Sequence, residues 1–187
     1  MSTASPPQPT LWRTCRVLAN RKRLQILALL ARDGPQNVSS VARHMKLSLP
    51  TASQYLRALE ARGLLTSRRM SRRVEYRLTQ GRRQGSADQI VAALRLVLGR
   101  GVDRVERVFK SATAFTHPRR IEVFQAIAKG ADSFAKIQAA TRISVPALQR
   151  QLEKLEARGF ITSMRGPYAP RPQTEPFARA LARLATK

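Results

Sequence analysis

Apolar residues recur along much of this chain at spacings of three and four, the period of one helical face. Ala52, Leu56 and Leu59 form one such stripe, and Leu148, Leu152 and Leu155 form another. The same periodicity predicts helices over residues 11–18, 21–32, 38–45 and 88–98. A second set is expected over 102–114, 119–129 and 134–140. Ser48 and Ser144 stand where an N-cap belongs, each followed two places on by a proline, Pro50 and Pro146, suited to a first helical turn. Alternation takes over at residues 64–67 and 74–78, which read as two short strands. Pro176 opens a last apolar stripe, "PFARALARLATK", also read as a helix.

These patterns come twice. "SLPTASQYLRALEARGLLTS" stands against "SVPALQRQLEKLEARGFITS", and "ANRKRLQILALLARDG" against "THPRRIEVFQAIAKGA". Leu24, Ile26, Leu27 and Leu30 are answered by Ile121, Val123, Phe124 and Ile127. Five shared letters could arise by chance; a matched apolar pattern over a whole unit points to duplication. Each "LEARG" ends in a glycine, Gly63 or Gly159, placed to close a helix at positive φ. The expected layout is a disordered tail at 1–10 and a first unit at 11–80. A linker and connecting helix follow at 81–101, then a divergent second unit at 102–187 with a C-terminal helix.

Charge changes the picture next. Thirty-five basic residues face 11 acidic ones, giving +24 and a pI near 11.9. Residues 1–80 hold 15 bases and 3 acids and the remainder 20 and 8, so the excess is shared equally. Such a balance calls for a polyanion, nucleic acid before anionic lipid. A hydrophobic content of 43% with only 5% aromatics supports a helical core and excludes wholesale disorder. No apolar run is long enough for a membrane span, and "MSTASPPQPT" lacks the form of a signal peptide. A cytoplasmic, nucleoid-associated protein is expected, with no membrane partner. The single cysteine, Cys15, excludes an internal disulfide and reads as a packed side chain.

Two helices at a tight turn followed by the basic hairpin "LLTSRRMSRRVEYRL" make a winged helix-turn-helix. Residues 11–80 resemble the ArsR-type winged-helix regulators. "VLANRKRLQIL" resembles that family's entry into its second helix, and "SLPTASQYLRALEARGLLTSRR" its recognition helix and wing. Residues 106–163 resemble the same pattern more weakly. The fold class is therefore mainly α with small β-hairpin wings, a tandem winged helix-turn-helix. The resemblance implies dimeric, sequence-specific binding of double-stranded DNA. The family's thiolate metal site would need cysteines that "NVSSVARH" lacks, and "ADQIVAALRLVLGR" has one Asp and no His for its other site. No metal and no cofactor are expected. His44 and His117 read as surface or capping residues.

The outward face of a recognition helix must offer hydrogen-bonding groups to the major groove. Ser48, Pro50, Thr51, Ser53, Gln54 and Arg57 lie off the apolar stripe and meet that need. Gln54 suits adenine, and Arg57 guanine or phosphate. Arg68, Arg69, Arg72 and Arg73, at or near the hairpin tip, would repel one another without phosphate to neutralise them. In the second unit Gln149 and Arg150 are candidates. Glu153 replaces the Arg57 equivalent there, and "MRGPYAPRPQTEPF" is broken by prolines. That unit either reads DNA differently or serves packing and dimerisation. Ile90, Leu94, Val97, Val102, Val105 and Phe109 are candidates to join the units as an intramolecular pseudo-dimer; the alternative is a homodimer. A scaffold whose second unit binds protein, or a nonspecific nucleoid binder, remains the competing class. No acid pair, nucleophile set or phosphate loop suggests an enzyme.

Overall fold

A computed structural model of the chain describes residues 10–71, 73–80, 85–98, 103–163 and 167–187. Arg72, Val102, the break at 99–101, most of the tail and part of each hairpin connection lie outside the described residues. Helix α1 (Leu11–Leu18) leads to α2 (Arg21–Asp33), where the Asn20 side chain accepts the Arg23 N–H at 3.0 Å. The chain leaves α2 through Gly34 at φ 78°. A strand not foreseen from sequence follows: β1 (Gln36–Asn37), too short to show alternation. Asn37 then caps α3 (Val38–Met45) by accepting Ser40 N–H at 2.9 Å.

Helix α4 (Leu49–Glu60) starts at Ser48, whose Oγ accepts Thr51 N–H at 3.3 Å and pairs with Thr51 Oγ1 at 2.8 Å. Gly63 turns the chain at φ 69° into β2 (Leu65–Met70) and β3 (Arg73–Leu78). Both strands run further towards the tip than their pattern predicted. Backbone pairing continues through polar positions that have no core side to alternate with. Antiparallel order is β1-β3-β2, so the hairpin is anchored to the helices by β1. Helix α5 (Ser86–Leu98) closes the first half.

The second half follows in the same order: α6 (Arg104–Ala114), α7 (Pro118–Ala128), α8 (Phe134–Thr141) and α9 (Val145–Ala157). Strands β4 (Ile161–Thr162) and β5 (Ala169–Pro170) form a two-residue ladder, and α10 (Pro176–Ala185) ends the chain. Left-handed residues fall at matching places, Lys46 with Arg142 and Gly63 with Gly159. Ser144 holds the extended cap conformation, but its side chain makes no cap bond, contrary to expectation. Thr51, which braces Ser48, is replaced there by Ala147. Leu24, Leu27, Leu56 and Leu59 are buried in one core. Phe115, Phe124 and Phe160 meet edge to face within the same continuous core, with centroids 4.7–6.2 Å apart.

First helix meets first and last meets last. Helix α1 packs on α6, and α5 on α10. Arg21 grips Glu106 through two 2.8 Å hydrogen bonds, with its guanidinium 3.9 Å from the Phe109 ring centroid. Arg183 donates to Gln89 at 3.0 Å. Ile90, Leu94 and Val97 are buried, whereas Val105 and Phe109 are only half-buried; Val108 and Ala112 supply the buried face of α6.

Candidate nucleic-acid interface

Burial of Ala52, Leu56 and Leu59 fixes which side of α4 looks outward. Pro50, Gln54 and Arg57 fall on one exposed stripe, at spacings of four and three. Thr51 and Ser53 flank it, half-buried. Ser48 is exposed, but its hydroxyl is engaged in the cap. The helix has no acid before Glu60, and that carboxylate accepts Ser67 Oγ–H at 2.5 Å, fastening the end of α4 to β2.

The second half repeats this clasp. Glu156 accepts both Ser163 Oγ–H at 2.6 Å and Ser163 N–H at 3.2 Å. Three residues of "LEARG" thus have a place: leucine in the core, glutamate on a serine in or just past the following strand, glycine at the turn. Sequence reading missed the clasp because the serine lies beyond the helix that holds the glutamate. Gly63 also accepts a 2.7 Å bond from Thr79 Oγ1, and Gly159 one from Gln173 Nε2 at 2.7 Å.

Pairing register divides the wing arginines. Arg68 faces Glu75, Arg69 faces Val74 and Met70 faces Arg73, so Arg68 and Arg73 share one side and Arg69 takes the other. All three are exposed. The tip is therefore basic on both faces, as a blade entering a groove would be. Tyr76, on the Arg69 side, is buried against the helices. Burial pushes its phenol up, Glu60 adds to the shift, and nearby Arg57 opposes it.

Other arginines turn inward. Arg120 is 5% exposed and donates to Gln151 Oε1 at 2.9 Å, Thr113 O at 2.8 Å and Ala114 O at 3.1 Å. Burial holds its guanidinium below its ordinary value, and Arg158 adds repulsion. Its counterpart Arg23 donates to Val17 O at 3.1 Å and lies over the Tyr55 ring at 5.3 Å. Each holds the end of its unit's first helix to the next. Part of the positive charge is thus structural.

Residues 20–67 match the family described as bacterial regulatory protein, arsR family. This span covers α2, β1, α3, α4 and the clasp serine. It is an ArsR-family helix-turn-helix domain. Over 66 residues the chain is 44% identical to the HTH-type transcriptional regulator Rv0324 of Mycobacterium tuberculosis. The match takes in 35% of this chain, which spans 29% of that relative. Reduced HlyU from Vibrio cholerae N16961 is a solved relative of 28% identity, covering 43% of this chain and 80% of its own, with a TM-score of 0.35.

Within the ArsR-family domain lie the candidates Ser48 through Arg57; Arg68, Arg69 and Arg73 fall just past the matched span. On α9, Gln149 and Arg150 are exposed but bonded within their helix, to Glu153 at 3.1 Å and Pro146 O at 3.2 Å. Cys15 is fully buried, which pushes its thiol up and leaves it unreactive. His44 is exposed, and His117 caps α7 by accepting Arg119 N–H at 3.2 Å. Among the described residues no group of three His, Cys, Asp or Glu could hold a metal ion, and no helix is long and apolar enough to cross a membrane.

Proposed function

We propose that the chain is a transcriptional regulator that binds double-stranded DNA sequence-specifically, with α4 in the major groove and the β2–β3 wing on the phosphate backbone. One observation carries this reading. On an ArsR-family domain, the acid-free outward face of α4 is locked by the Glu60–Ser67 clasp beside a hairpin bearing Arg68, Arg69 and Arg73. Gln54 is the adenine reader and Arg57 the guanine or phosphate contact; Thr51 and Ser53 support them. Gln149 and Arg150, exposed on α9 and each held by one bond within it, are the second half's candidate contacts.

The second half is a divergent winged-helix repeat and takes the place of a second subunit. Contacts of α1 with α6 and of α5 with α10 favour this intramolecular pseudo-dimer over a homodimer. Selection of bound sites from random duplex DNA tests the whole. A defined motif is expected, and Gln54→Ala should relax one base pair by about 1–3 kcal/mol. Enrichment of no motif would move the protein to a nonspecific nucleoid or scaffold role. Light scattering should give a 20.9 kDa species in solution; a particle of twice that mass would refute the pseudo-dimer.

A further inference from the structure

Large apolar side chains standing exposed among the described residues are Leu49, Met70, Val74, Leu96 and Val145. All but Leu96 lie on α4, on α9 or on the wing. Leu49 is 54% exposed and Val145 49%. They occupy the same place in the two halves, first in the helix, between the cap serine and the proline. Single exposed leucines are ordinary on a protein surface. Here, however, three of the five, Leu49, Met70 and Val74, gather on the two elements assigned to DNA, α4 and the wing.

We propose that Leu49 is a specificity-determining residue that packs on the C5-methyl group of a thymine, an inference that rests on the DNA-binding reading above. The first turn of a major-groove helix is the part that reaches base edges. The one apolar group displayed there is the thymine methyl. Leu49 sits in that turn, one helical turn ahead of Ser53 and beside the Pro50–Gln54–Arg57 stripe. Pro50 has no N–H to keep hydrated and Thr51 N–H is taken up by Ser48 Oγ, so an apolar contact over this turn strands fewer donors than at an ordinary helix start. Surrounding positive charge supplies attraction to phosphate but no means of telling thymine from cytosine; the methyl contact does. Val145, one carbon shorter, holds the equivalent place on α9.

The test uses the full chain and its selected duplex. Each thymine is replaced in turn by deoxyuracil, which lacks only the methyl, and Kd is measured for the wild type and for Leu49→Ala. One position should cost the wild type about fourfold, the factor equivalent to roughly 0.8 kcal/mol for one buried carbon. At that position Leu49→Ala should bind both duplexes equally. The penalty should also be the same at low and high salt, unlike a phosphate contact. Circular dichroism confirms that the variant folds. Equal deoxyuracil costs in both proteins, or Leu49→Ala binding every duplex as the wild type does, would overturn the assignment while leaving the DNA-binding reading intact. A chain that captures no duplex at low salt would overturn both.

Discussion

Arg120→Met removes a guanidinium while keeping an unbranched stem of similar reach. Three hydrogen bonds disappear, to Gln151 Oε1, Thr113 O and Ala114 O. At about 1.5 kcal/mol for each bond from a charged donor, the gross loss is about 4–5 kcal/mol. Two terms reduce it. Gln151 is half-buried and turns to water, and Thr113 O keeps its bond from Thr116 Oγ1. The buried charge, which no carboxylate pairs, no longer has to be desolvated. The net destabilisation should be about 3 kcal/mol, a large share of the roughly 5–15 kcal/mol of a typical fold. Urea unfolding followed by circular dichroism measures it, and a chain of this length should lose about 6–12 °C of Tm. Arg23→Met, with one carbonyl bond and a ring contact at stake, should lose about 1–2 kcal/mol. Well below the transition, DNA affinity and its salt dependence should match the wild type, because Arg120 never reaches the surface. A stability loss under 1 kcal/mol, or a shallower salt dependence, would refute the internal role.

Gly63→Ala and Gly159→Ala each place a Cβ on left-handed backbone and should cost about 1–2 kcal/mol. Gly63→Ala should cost more, since its Cβ would meet Ala87 Cβ at 3.3 Å while the other site is open; equal losses in thermal unfolding would show that Ala87 gives way freely. If the first half neutralises about six phosphates, affinity should fall about a thousandfold or more between about 50 and 200 mM salt. Replacing Arg68, Arg69 and Arg73 by alanine should cut the log–log slope by about 2.7, and a change below about 1 would remove the wing from the backbone. Arg21 holds the Glu106 carboxyl below the usual carboxylate range. A depressed folded pKa means the pair stabilises above the unfolded value and is lost as pH falls through the folded one. Contact between α2 and α6 should therefore loosen on acidification through that range, and Glu106→Gln should abolish this pH dependence in hydrogen exchange; an unchanged profile would assign it elsewhere.

Much of the fold was legible along the chain. The stripes Ala52–Leu56–Leu59 and Leu148–Leu152–Leu155, the Ser48 cap and the glycines after "LEARG" are local devices, set by helical period and backbone freedom within a few residues. The outward face of α4 follows directly from its buried one, so Thr51, Ser53, Gln54 and Arg57 could be named in advance. Most individual contacts between distant segments could not. Two-residue β1 exists because β3 is there to pair with it, and its sequence carries no period. Arginine reads the same whether it meets solvent, as Arg68 does, or three acceptors inside, as Arg120 does. Nothing in the sequence marks Glu60, because Ser67 comes within its reach only in the folded chain. Burial and partnership belong to the packed chain, because each needs atoms that only folding brings together.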